Sequence, residues 1–289
     1  MKRLLSILGA LLLFAVVFWA GLLYTFPGAA LSAYVEGRLT AETGRPVNVL
    51  PASLRWYGLN VPQVRFAGLG GDARNAVVLT DVRVPLAWRL LRGVPVSAEL
   101  GAGRLALFLP WGDGQMSFSL QDLQLEALPE VQALAGFPLK GRMHVVGQVA
   151  RRAAQAQAAR GQLPEGSVIG EITGLTVEGA QVLSQKVPAV KEDVIRFDLA
   201  LGQRIEIRSL TFEGDVRGTI EGQVLPNLYR PNQSRLQLAI TAGFRESWLQ
   251  ALGDMRPLVD SFLDNGQLRA RIDGTIEQPQ FRTAGRRAP

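Results

Sequence analysis

The sequence predicts a mainly β protein. An N-terminal transmembrane helix leads into a long, curved antiparallel sheet or a sandwich, with a few short helices. Three observations predict it. Residues 4–26 carry no charge. Beyond Val47, apolar and polar residues alternate with a period of two in run after run. The chain of 289 residues holds 31 glycines and 16 prolines, and they cluster between those runs as turn signals.

The apolar segment comes first. At about 1.5 Å per residue it spans roughly the 30 Å of a bilayer core. Leu4, Leu12, Phe18 and Leu23 supply its apolar body. Trp19 and Tyr24 approach the far interface, where amphipathic rings settle. Lys2 and Arg3 precede the segment and favour a cytoplasmic N-terminus. Pro27-Gly28 ends the helix. The competing reading is a cleaved signal peptide, with Ala30, Ser32 and Ala33 as small residues near a cleavage point. Such a peptide usually has an apolar region of about 7–15 residues, so an uncleaved anchor over residues 1–27 is the expectation. No later apolar run is long enough to cross again. The protein is therefore expected to be single-pass in a bacterial inner membrane, with residues 46–281 in the periplasm and 282–289 as a flexible basic tail.

Residues 28–45 read as an amphipathic juxtamembrane helix. Leu31, Tyr34, Val35 and Leu39 share one face, and Gly44 is placed to end it. The helix packs on the end of the domain or lies on the membrane surface. Strands are then expected at 53–57, 61–66, 76–85, 94–100, 104–109, 116–125, 141–149 and 166–178. More follow at 194–201, 204–222, 235–241 and 267–277. Gly112-Asp113-Gly114, Pro226-Asn227 and Asn265-Gly266 mark turns. Residues 244–264 read as a helical lid over the core, broken or kinked at Pro257. Residues 151–160, RRAAQAQAAR, read as a linker or as a contact for anionic lipid.

The strand faces carry the functional information. In LTFEGDVRGTIEGQV, residues 210–224, one face holds Leu210, Phe212, Val216, Ile220 and Val224 with three glycines, and the other is nearly all polar. A similar pattern returns in GQLRARIDGTIEQPQF, residues 266–281. One face is buried and the other wet, as in an antiparallel sheet. Phe212, Val216, Ile220, Leu268, Ile272 and Ile276 thus form a candidate apolar groove. The face is either the core of a sandwich or a groove left open for lipid or a partner.

Catalytic chemistry finds little support. There is no cysteine, which excludes disulfides, thiolate metal sites and cysteine nucleophiles. The single histidine, His144, falls on a polar strand face. No G-x-S-x-G elbow occurs. Glu192-Asp193, Asp254 and Asp260 read as solvated surface. The glycine-rich stretches at 68–72 and 101–104 do not lead from a strand into a helix, as a phosphate loop would. No enzyme activity, cofactor or metal is expected. The charge of +6 is spread thinly. It suits an anionic membrane surface, and no basic stripe points to nucleic acid.

The order of features resembles a known family. An anchor precedes FPGAALSAYVEGRLTAETG, then LPWGDGQMSFSLQDLQL and LAGFPLKGRMHVVGQV. A long middle region, VPAVKEDVIRFDLALGQRIEIRSLTFEGDVRGTIEGQVLPNL, leads through SRLQLAITAGF to NGQLRARIDGTIEQPQF. This is similar to the type II secretion system protein N family in its delta-proteobacterial form. The resemblance implies an accessory inner-membrane component of that machine, with secretion proteins of the inner membrane and periplasm as partners. The closing G-T-I-x-x-P-x-F of residues 274–281 also resembles the strand ends of AsmA-like proteins. That resemblance implies the alternative, a lipid-binding or lipid-transfer protein between membranes. Neither family brings catalytic residues.

Overall fold

The computed structural model describes residues 14, 18, 19, 21, 24–68, 76–86, 88–112, 114–129, 131–132, 137–150, 164–178, 181–182, 185–186, 188–227 and 231–283. Helix α1 (Gly28–Thr43) opens the domain. Strands β1 (Val47–Val49), β2 (Ser53–Arg55), β3 (Gly58–Phe66), β4 (Val77–Pro85), β5 (Gly93–Leu100) and β6 (Gly103–Pro110) follow. Next come β7 (Gln115–Gln124), β8 (Leu139–Ala150), β9 (Gly166–Val177), β10 (Gln181–Val182), β11 (Gln185–Lys186) and β12 (Val190–Leu201). The C-terminal part holds β13 (Ile205–Gly214), β14 (Val216–Leu225), β15 (Arg235–Phe244), α2 (Glu246–Ala251) and α3 (Arg256–Asp260). It ends with β16 (Leu263–Asp264), β17 (Gln267–Thr275) and β18 (Pro279–Thr283).

Sixteen of these strands form a single sheet, and β10 and β11 pair only with each other. From β3 to β9, and again from β12 to β15, each strand pairs antiparallel with the next along the chain. Antiparallel neighbours need no crossover, so each connection returns along the same edge of the sheet. The expected strand at 204–222 is two strands. The chain turns a corner at Asp215, whose N–H donates to Lys191 O at 2.8 Å and whose carbonyl accepts from Arg245 N–H at 2.8 Å. Alternation survives the corner, so the sequence pattern alone did not betray it. Likewise β17 stops at Thr275, and Ile276 lies in the turn before β18.

Register shifts interrupt the ladders at Asp81 and Asp122, with φ of 50° and 53°. Aspartate tolerates this left-handed backbone better than most residues. Each bulge inserts one residue and bends the strand, yet returns the next apolar residue to the same face. The Asp81 bulge is pinned by its own neighbours. Asn60 Nδ2 donates to Asp81 Oδ1 at 3.0 Å, and Arg83 pairs with the other oxygen. The Arg83 hydrogen bond holds the Asp81 carboxyl below its ordinary pKa.

The lid expected at 244–264 is instead two short helices. Gly253, with φ 56°, ends the first unit, and Pro257 sits in the first turn of α3, where a missing N–H does no harm. Phe244 belongs to β15 and stacks on Trp248 at 5.4 Å. Of the anchor residues, Leu4, Leu12 and Leu23 lie outside the described residues, as does the 151–160 stretch. Phe18, Trp19 and Tyr24 are helical and exposed. No helix among the described residues is long and apolar enough to cross a membrane.

One end of the sheet is closed. Val47, Val49 and Val64 form a buried cluster, with Val35 and Leu39 of α1 packed against it. Tyr34, expected on the same helix face, is 72% exposed. The polar side of this contact caps a strand edge. Ser32, Glu36 and Thr40 are spaced four apart, so they share one side of α1. Val47 N–H donates to Thr40 Oγ1 at 3.2 Å, Val49 N–H to Glu36 Oε2 at 3.0 Å, and Ala52 N–H to Ser32 Oγ at 2.8 Å. Gly44, with φ 66°, ends α1 as expected, its N–H reaching Thr40 O at 3.0 Å.

Candidate functional site

Cross-strand register turns the alternation of single strands into rows that run across the sheet. One row of direct partners passes from Val96 through Leu107, Phe118, Gly147, Val168 and Leu199. It continues through Ile207, Gly222, Leu238 and Ile272 to Phe281. Every member is apolar or glycine. Ten strand-to-strand steps at about 4.8 Å make this row roughly 48 Å long. A second row runs beside it from Ala98 through Val145, Phe197, Ile220 and Ile240 to Ala270. A third joins Met143, Ile172, Ile195, Phe212, Gly218, Ala242 and Leu268. The rows on the opposite face are mostly polar. One of them joins His144, Glu171, Arg196, Thr211, Thr219, Thr241 and Arg269.

The apolar face is sheltered without being closed. On β8, Val145 is 7% exposed and its neighbour Val146, which points the other way, is 45% exposed. The two faces are therefore sheltered differently, Val145 lying between Leu120 and Gly170 on the apolar side. Yet most large side chains of the three rows, among them Leu107, Phe118, Phe197, Phe212 and Ile240, remain only half-buried. Leu123, at 1%, is the one large side chain buried so completely among the described residues. Among those residues the only second sheet is the β10–β11 pair, two residues to a strand and too short to cover the face. The result is a trough.

Three phenylalanine–glycine pairs shape its floor, one in each row. Phe118 lies directly opposite Gly147, Phe197 opposite Gly170, and Phe212 opposite Gly218. Each ring lies over the glycine it faces. A Cβ added at Gly170 would come within 2.6 Å of the Phe197 ring, and one at Gly218 within 2.8 Å of Phe212. Aromatic rings laid across glycines keep the floor low and smooth.

Five of the six predicted groove residues share this face. Phe212, Val216, Ile220, Leu268 and Ile272 are half-buried on it. Ile276 is not with them: it lies in the turn and is 50% exposed. Sequence reasoning missed the N-terminal half of the face, although Val94, Val96 and Ala98 carry the same alternation.

It also misread Glu192. This carboxylate is 5% exposed and points to the apolar side, between Leu175 and Gly214. Its Oε1 accepts from Val216 N–H at 3.0 Å at the Asp215 corner, and Oε2 has no partner among the described residues. Burial pushes its pKa above the ordinary 4.5. Asp215 and Asp193 add to the rise, against the Val216 hydrogen bond and Arg245. Asp193, in contrast, is exposed as expected and pairs with Arg245 at 3.7 Å. His144 is exposed on the polar face, as the alternation required. Among the described residues no acidic or histidine cluster is suited to hold a metal ion. Compared with known proteins, the chain matches no family model, no curated protein and no solved structure.

Proposed function

We propose that this protein is a membrane-anchored lipid-binding protein whose apolar trough holds acyl chains. The observation that supports it is the set of unbroken apolar rows, half-buried and without a covering layer. A contiguous apolar face left partly open is the kind of surface that marks a binding site in a soluble domain. Its backbone donors and acceptors are already paired within the sheet, so an occupant need supply no hydrogen bonds. An acyl chain meets that requirement, and a protein segment would bring polar backbone that must be satisfied. The floor is longer than one acyl chain, which suits a lipid that moves along it.

The apolar segment at residues 4–26 anchors the chain in the inner membrane in this reading, and α1 sets the closed end of the trough beside it. Membrane and lipid are then the partners, and the body is periplasmic. The resemblance to secretion proteins offers a docking role instead, which rests on feature order in the sequence alone.

A phospholipid carrying a photoreactive group on its acyl chain tests the proposal. Crosslinks should fall on floor residues such as Leu199 and Ile220, and hardly at all on Thr219 or Glu221. Crosslinks spread equally over both faces would overturn it.

A further inference from the structure

We propose that the outer edge of β18 is a docking site for an acidic β-strand of a partner protein. This site is the sheet's free edge, beside the end of the apolar row at Phe281, and stands whether or not the trough holds lipid. β18 hydrogen-bonds to β17 alone, and all five of its residues are exposed. Its outer edge therefore presents unpaired backbone groups, the usual template for strand addition. At the other end of the sheet the equivalent groups of Val47, Val49 and Ala52 are occupied by α1.

Charge identifies the occupant. Arg271 and Arg282 are direct cross-strand partners, and Arg269 lies on the same polar face. None of the three makes an ion pair among the described residues. Like charges placed opposite one another destabilise a sheet. The sequence adds Arg286 and Arg287 just beyond. Pro279 and Arg282 are also what natural edges use to refuse stray strands. A strand with carboxylates at alternate positions reverses the sign of that refusal. Its other face, if apolar, continues the row that ends at Phe281, which is 67% exposed. A second copy of this chain would bring the same arginines and repel.

The test uses the full-length chain in detergent micelles and two short dye-labelled peptides, one alternating Glu with Val and one alternating Lys with Val. The Glu peptide should bind and the Lys peptide should not. The double variant Arg271→Glu, Arg282→Glu should lose the Glu peptide and gain the Lys peptide, each by about ten-fold or more. Because the chain has no native cysteine, Gln280→Cys provides a unique crosslinking point, and its thiol should capture a Glu peptide made with a terminal maleimide by adding across the maleimide double bond. Equal binding of both peptides, or no change in the double variant, would overturn the proposal. So would disulfide dimers through position 280, which point to a second copy. Binding to phosphatidylglycerol vesicles with no peptide binding would overturn it in favour of a membrane contact.

Discussion

The two ends of this sheet solve the same problem differently. At the N-terminal end, α1 lies along β1, accepts from the N–H groups of Val47, Val49 and, just beyond β1, Ala52 with Thr40, Glu36 and Ser32, and packs on Val47, Val49 and Val64. That end is a conventional core, closed and dry. Beyond β4 the apolar face goes on with the same residue types but mostly half-buried, covered locally where Trp248 stacks on Phe244 and Leu249 is buried, and at β18 the edge itself is bare. The difference teaches that apolar composition does not decide burial here. What decides it is whether an element is available to cover the face, and α1 is the longest element that does so among the described residues.

The largest effect should come from placing charge on the open floor. Ile220→Asp or Phe212→Asp should destabilise the protein by about 2–4 kcal/mol in chemical denaturation, since the half-buried face offers a carboxylate no partner. Glu213→Ala, on the polar face, should stay within about 0.5 kcal/mol. Equal tolerance at all three positions would erase the distinction between the faces.

Next comes the floor's shape. Gly170→Val should displace the Phe197 ring and lower stability by about 1–3 kcal/mol, the usual penalty of overpacking. Phe197→Ala in the same chain should relieve the ring's share of the clash and leave that with the His144 carbonyl oxygen, 2.7 Å from the added Cβ, a partial rescue that a double-mutant cycle would read as coupling.

A matched pair compares the two ends directly. Val49→Ala at the closed end should be worth about 2 kcal/mol, and Val168→Ala in the trough about 1 kcal/mol or less, because Val168 is half-exposed before truncation. Equal losses would mean that the trough is as dry as the core.

The smallest effect concerns Glu192. A carboxyl whose pKa is raised by folding contributes stability below its unfolded pKa, and that contribution is lost as pH rises through the folded value. Glu192→Gln keeps an acceptor for Val216 N–H and removes the buried charge. Its stability relative to the parent should therefore increase as pH climbs from about 4.5 toward neutrality, as followed by thermal melts at several pH values. A difference that stays flat over that range would show that Glu192 does not titrate against folding.

Much of the sheet was legible in the sequence. Residues 94–100, 104–109 and 166–178 read as strands and nearly coincide with β5, β6 and β9, because period-two alternation reports a sheet with one wet face. The corner at Asp215 was not legible, since Gly214 and Val216 keep the same parity through the turn. The bulges at Asp81 and Asp122 do shift the parity, from Leu79 to Val82 and from Leu120 to Leu123, but one displaced residue inside a run reads only as an imperfect strand. Short elements such as β1 and β18 hold too few residues to show a period. The floor residues Phe212, Ile220, Leu268 and Ile272 were found because each stands in a long run. The Phe–Gly pairs were invisible, because they are facts of register between strands. Glu192 looked like surface because charged residues usually are, and nothing local announces that its strand turns it inward.

The most direct test of the open trough is the native mass of the full-length protein, released gently from membrane patches of its own host. The account predicts one or more phospholipids retained per chain, and their loss in Ile220→Asp even where that variant remains folded. A chain that emerges bare, with secretion-machine proteins bound in place of lipid, would contradict it.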